Sequence, residues 1–275
     1  MSVEKNHTDY LYVYGIIPKE ELSKSVLPLI IGIDQQPSTA MKFNDIVAIA
    51  TPVNPQKFSQ QNIDSLSKNI DWLQENAIHH HSCIEELNRN FTILPMSFCT
   101  IFQNEQKLSN LLKERYDELF GKLQTLKGKE EWNLKVFCKL ETAKHFVLEN
   151  NPSIIELKDS LASMPKGKQF LMKKKIDLKI GEEIVKEFGK WQAEIQKYLT
   201  SFIEDSSLRS NWGKDVTGRA DDMIINCDFF VEKKMEDEFI SAIHECEKLF
   251  SKRGCTFQVT GPWPPYHFSK MGSDD

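Results

Sequence analysis

A chain of 275 residues, 40 % hydrophobic and 27 % charged, is long enough for two ordinary domains and lies far from disordered or collagen-like compositions. A formal net charge of -5 argues against a protein that neutralises phosphates, so nucleic acid is not an expected partner. The opening MSVEKNHTDYLYVYGIIPKEE has no basic start before a long apolar run, so neither a secretion signal nor a lipid-membrane span is expected, and a cytoplasmic location follows.

The first element is YLYVYGII, Tyr10 to Ile17, β-branched and aromatic on both faces and stopped by Pro18, which reads as a strand covered on both sides. In MKFNDIVAIATPV, Asn44-Asp45 between two apolar runs predicts a hairpin turn, with Pro52 and Pro55 ending the second strand. From Ile63 to Leu87, the residues Leu66, Ile70, Leu73, Ala77, His80, Ile84 and Leu87 recur at steps of three and four, predicting one helix face. FTILPMSFCTIF returns to strand character with a bend at Pro95, and NEQKLSNLLKERYDELFGKLQTLKGK predicts a single bridging helix ending near Gly128.

In EWNLKVFCKL the alternation sets Trp132, Leu134, Val136, Cys138 and Leu140 against Asn133, Lys135 and Lys139, a strand lying on a core. A long helix follows with a stripe of Ile184, Phe188, Trp191, Ile195, Leu199 and Phe202, then a short strand near Leu208 to Trp212 and the strand MIINCDFFVEK. EDEFISAIHECEKLFSKRG is a helix burying Phe239, Ile243, Cys246 and Phe250 and closed by Gly254, and CTFQVTG is the last strand. The expected architecture is α+β with two domains. Residues 1–104 form an N-terminal α+β domain, 105–130 a linking helix, and 131–275 a ferredoxin-like domain, an antiparallel sheet covered by helices.

Candidate chemistry is sparse. The run His79-His80-His81 contains the commonest metal-ligand type, but neighbours on a helix diverge by about 100°, so the three cannot converge on one ion. His79 and Cys83, four apart, share a face but fall short of a metal site, and His80 reads as a hydrogen-bonded core histidine. GKLQTLKGKE departs from the phosphate-loop spacing and places Glu130 where a hydroxyl is needed. NWGKDVTGRADD gathers Asp215, Arg219, Asp221 and Asp222, a set compatible with acid–base or metal chemistry but equally with a solvated loop. Lys173-Lys174-Lys175 reads as a solvated helix face, and neither long apolar stripe has coiled-coil heptads. Six cysteines without a CxxC pair read as small buried hydrophobes, giving neither a disulfide framework nor structural zinc. No catalytic residue, metal or cofactor is expected. The alternatives are a metal- or thiol-dependent cytosolic enzyme, resting on His79, Cys83 or the Asp221-Asp222 region, and a general protein-interaction adaptor.

Seven stretches, YVYGIIP, WLQENAIHHH, FTILPMSFCTIF, EEWNLKVF, GKQFLMKKKID, NWGKDVTG and VTGPWPPYHF, resemble the gas vesicle protein L and F family, and the resemblance runs from Tyr10 to about Phe268. The triple histidine and the KKKID run bring it closer to the L-type, whereas Cys99 stands where members often carry glycine. The resemblance implies an accessory or minor structural protein of gas vesicles, located in the cytoplasm and associated with them. It implies a role in nucleating or assembling the shell, with the hydrophobic major shell protein and other accessory proteins as partners, and no catalytic residues. It also implies two α+β domains, the second ferredoxin-like.

The closing motif VTGPWPPYHF has a physical reading of its own. Pro262, Pro264 and Pro265 cannot donate to a ladder, so the last strand must end here or lie at an edge. A polyproline-type continuation sets Trp263 and Tyr266 on one side. The segment is then either a latch across its own domain, burying Trp263 and Phe268, or an exposed aromatic rung for a partner. The latch is favoured, because a free C-terminus frays unless packed down.

Overall fold

The computed structural model describes residues 10–270, except the side chains of residues 170–175. The chain is a mixed helix and antiparallel-sheet, α+β protein with two sheets, and its contacts divide it into two compact units. Met1–Glu130 and Trp263–Asp275 make one unit, and Glu131–Pro262 the other.

In the first unit β1 (Tyr10–Pro18), β2 (Thr39–Phe43) and β3 (Ile46–Val53) form an antiparallel sheet with β3 between the other two. The predicted hairpin is present: Phe43 lies opposite Ile46, and Asn44 takes φ 47°, a left-handed turn position that asparagine tolerates. β1 runs from Tyr10 opposite Val53 to Pro18 opposite Ile46, with a bulge between Val13 and Gly15. Beyond β1, FTILPMSFCTIF supplies only the short strands β4 (Leu94–Pro95) and β5 (Ile101–Phe102), because Pro95 lacks a donor and Cys99 turns left-handed at φ 64°. A Cβ on Gly15 would lie 2.6 Å from Ile93 Cδ1 and 2.9 Å from the Leu94 carbonyl oxygen, so this close approach of β4 requires glycine.

After the short helix α1 (Lys19–Leu22), the predicted Ile63–Leu87 helix is two helices, α2 (Gln60–Leu66) and α3 (Ile70–Asn90). The break is a capping event: the Asn69 side chain accepts from the Asp71 and Trp72 amides and starts a new helix. His80, Cys83, Ile84 and Leu87 pack with Tyr12, Tyr14, Ile17, Val47 and Ile49, but Ile70 is 76 % exposed, so the front of the predicted stripe faces solvent. The expected bridging helix is likewise two, α4 (Glu105–Glu114) and α5 (Tyr116–Leu126), interrupted where Arg115 takes φ -109° and ψ 19°. Together they bury Leu108, Leu112, Leu119, Leu123 and Leu126 and contact β1, β2, β4 and β5.

The second unit is organised on β6 (Lys129–Cys138). Its alternation puts Trp132, Leu134, Val136 and Cys138 into the core as read, whereas Leu140 opens the next helix and is 45 % exposed. Two helices precede the long one: α6 (Leu140–Asn150) and α7 (Pro152–Ala162), the latter started by an Asn151 cap and Pro152 in its first turn. Their Val147 and Ile154 cluster with Ile176, Ile180 and Ile184 of α8 (Lys166–Leu199). The Lys173-Lys174-Lys175 side chains lie outside the described residues. Of the rest of the stripe, Trp191, Ile195 and Leu199 are buried, each such side chain contributing about 1.5–3 kcal/mol, and Phe188 is partly buried, whereas Phe202 lies beyond the end of α8 in a 3-10 turn, where it packs partly buried on the same core.

There follow β7 (Asp205–Leu208), slightly earlier than expected, the single-turn α9 (Lys214–Thr217), β8 (Asp222–Glu232), α10 (Glu236–Ser251) and β9 (Cys255–Trp263). Phe239, Ile243, Cys246 and Phe250 of α10 meet Cys227, Phe229 and Val231 of β8 in the same core. Gly254, at φ 88°, makes the tight entry into β9. The sheet order is β7-β8-β6-β9, which leaves β9 at an edge.

Candidate functional site

Three consecutive histidines at about 100° intervals on α3 reach three different environments. His79 Nε2 lies 3.7 Å from Cys83 Sγ. His80 points into the sheet: the Tyr12 hydroxyl donates to its Nδ1 at 2.9 Å, and its Nε2–H donates to the Met96 carbonyl at 3.2 Å. The Cys99 amide in turn donates to Tyr12 Oη at 3.1 Å, and the Tyr14 ring stacks on the imidazole at 5.6 Å. This chain fixes the neutral Nε2–H form, because Met96 O can only accept. Burial, with smaller effects from His81 and His79, pulls the His80 pKa down to about 4, against the Met96 bond that favours the charged form. Burial also pushes the Tyr12 phenol well above its ordinary value.

His81 turns to the opposite side and meets the C-terminal segment, which belongs to the same unit. The Tyr266 hydroxyl donates to His81 Nδ1 at 2.6 Å, leaving Nε2 3.6 Å from Glu85 Oε1. The Trp263 and Tyr266 rings each stand 5.7 Å from the imidazole, at 38° and 40°. The strand ends at Trp263, before Pro264, but no polyproline run continues it. Tyr266 N bonds Pro264 O and Ser269 N bonds Pro265 O, folding the segment into turns. Pro264 and Pro265 are buried, Trp263 and Phe268 half-buried, and Tyr266 is 36 % exposed. Phe268 meets His267 edge-on at 5.1 Å.

The other sequence candidates resolve into surface pairs and turns. In NWGKDVTGRADD, Lys214 pairs with Asp222 at 3.1 Å and Arg219 with Asp221 at 3.6 Å, while the Arg219 guanidinium lies over the Phe137 ring at 4.1 Å. Asp215, the remaining acid of that set, is an exposed residue of α9. Among the described residues, no group of three histidine, cysteine or carboxylate side chains is placed to hold a metal ion. The thiols are poor nucleophiles: burial pushes Cys83 and Cys99 up to about 11 and Cys227 up to about 12.

Sequence reasoning missed a polar network on the second face of the β6–β8 pair. Asn133 Nδ2 donates to Asp228 Oδ1 at 2.7 Å and to Asn226 Oδ1 at 3.1 Å, Lys135 Nζ donates to Asn133 Oδ1 at 2.6 Å, and Asn226 Nδ2 donates to the Ser210 carbonyl. Asn133, Asn226 and Asp228 are all buried. The available signal was the spacing of Asn226 and Asp228 two apart in an otherwise apolar strand, one face period, matched by Asn133 on β6.

The profile described as gas vesicle synthesis protein GvpL/GvpF matches residues 10–270. Gas vesicle protein L of Streptomyces sp. (strain CB03234) is 21 % identical over 250 residues, covering 89 % of this chain and 87 % of its own. Gas vesicle protein F1 of Halobacterium salinarum (strain ATCC 700922 / JCM 11081 / NRC-1) is 23 % identical over 265 residues, covering 95 % and 93 %. The crystal structure of the gas vesicle protein GvpF from Anabaena sp. PCC7120 superposes with a TM-score of 0.72 at 16 % identity, covering 96 % of this chain and 100 % of that one. GvpF from Microcystis aeruginosa gives a TM-score of 0.66 at 18 % identity with the same coverage. With the family profile spanning the whole described chain and the α+β fold shared with two solved relatives, this protein belongs to the GvpL/GvpF family of gas vesicle proteins.

Proposed function

We propose that this chain assists nucleation and assembly of the gas vesicle shell by binding the hydrophobic major shell protein and other accessory proteins, in the cytoplasm and at gas vesicles, without catalysing a reaction. The observation that carries the reading is the family match over residues 10–270. The geometry supports it in two ways: burial holds the Cys83 and Cys227 thiols protonated, and end strands such as β2 and β9 present ladder edges suited to an apolar, strand-forming client. Residues 131 onward are proposed to be ferredoxin-like, since β6, β7, β8 and β9 alternate with helices as strand-helix-strand-strand-helix-strand around the order β7-β8-β6-β9. Residues 1–104 and the helices in 105–130 would make up the N-terminal part. Trp263, Tyr266 and Phe268 are proposed as the latch, with the His81 contacts as its seat.

Affinity capture from cells making vesicles, combined with deletion of the gene, tests the function. The expected result is retention of the major shell protein and a loss of vesicles on deletion. An empty capture together with normal vesicles would refute it.

A further inference from the structure

Cys138 is the last residue of β6 and Cys255 the first of β9, and both are buried, at 0 % and 2 % exposure. The bond from Lys139 N to Gly254 O, 3.0 Å, fixes the antiparallel register at one end, and the approach of Gly261 to Trp132 fixes it at the other. That register sets Cys138 opposite Cys255. The Lys139–Gly254 bond flanks the pair, which makes it a non-hydrogen-bonded position, the closer of the two antiparallel spacings at about 4.5 Å between Cα atoms. Disulfides span Cα separations of about 4.4–6.8 Å, so the backbone already meets the requirement.

We propose that Cys138 and Cys255 are a redox modification site, a cross-strand dithiol that a peroxide converts to an intrachain disulfide in the folded protein. One sulfur, as thiolate, attacks a peroxide oxygen; the O–O bond breaks, hydroxide leaves and takes up the released proton as water, and a sulfenic acid remains. The second sulfur attacks the sulfenic sulfur, the S–O bond breaks, and a second water leaves with the second thiol proton. Two thiols are thereby oxidised and one peroxide reduced.

Access comes through β9, an edge strand whose first residue follows the Gly254 turn, so local fraying opens the pair without unfolding the core. Contact with the Cys138 thiol, followed by burial, holds the Cys255 thiol well above its ordinary pKa, so the reaction is slow. Cys138 Sγ lies 3.6 Å from the Arg253 carbonyl, and the thiol of Cys246 on α10, in the same core and electrostatically felt by Cys255, is a competitor.

The test is hydrogen peroxide on the intact protein without denaturant, followed by non-reducing peptide mapping. A linked Cys138–Cys255 peptide is expected, with an intact mass about 2 Da lower for the two hydrogens lost. Dithiothreitol should reverse it, and closing so long a loop should raise the melting midpoint by on the order of 10 °C. Cys255→Ser should abolish the link and Cys246→Ser should retain it. A link to Cys246, sulfinic acid without any link, or a link that forms only in denaturant would each overturn the proposal.

Discussion

Buried and neutral, His80 makes the stability of the first unit depend on pH over a defined window. Its pKa is about 4 in the fold against 6.5 for the free side chain, so between these values the unfolded chain binds the proton and the folded chain does not. Stability from this group is therefore complete above pH 6.5, falls as the pH drops through the window, and levels off below about 4. Going from pH 7.5 to pH 5 the linkage relation gives a loss of about 2 kcal/mol, before most carboxylates begin to protonate. Urea unfolding of the wild type and of His80→Gln at the two pH values isolates the effect, because every other titrating group is common to both proteins. The variant should be less stable at pH 7.5, by about 1–3 kcal/mol for the disturbed Tyr12 and Met96 bonds, but should lose about 2 kcal/mol less on acidification. Parallel pH profiles for the two proteins, or an imidazole NMR signal from His80 that titrates near 6.5, would refute the buried neutral assignment.

Gly15→Ala should cost about 1–3 kcal/mol, since its Cβ would meet the Leu94 carbonyl oxygen at 2.9 Å and that backbone cannot rotate away; thermal melts read it directly. Trp263→Ala should lower the melting midpoint while leaving capture of the shell protein intact, and Tyr266→Phe, which removes the bond to His81, should cost about 1 kcal/mol. An unchanged midpoint with capture abolished would reassign the segment from latch to partner contact.

The sequence made legible whatever depends on one period along one element. β6 shows its core face through Trp132, Leu134, Val136 and Cys138, and α8 and α10 show theirs through Trp191, Ile195, Phe239 and Ile243. The breaks at Asn69 and Arg115 were hidden because apolar spacing runs on across a re-capped helix start, even though the Asn69 side chain that causes one of them is plain in the sequence. Periodicity assigns a residue to a face but does not say whether that face is covered: Asn133 falls on the face opposite the core stripe of β6 and is buried there as well. The divergence of His79, His80 and His81 followed from helix geometry alone. The contact between His81 and Tyr266, 185 residues apart, has no local signal at all.

That separation bears on how the molecule is made. The first unit takes its last piece from a segment synthesised only after all of Glu131–Pro262, so the second unit is an insertion within the first. A growing chain can pair β1, β2 and β3 early, yet the seat on α3 for Trp263 and Tyr266 stays unfilled until all of Glu131–Pro262 has been made. Completion of the first unit thus requires the second to have been translated already, and a product truncated after Pro262 would keep its sheets while displaying an uncovered His81.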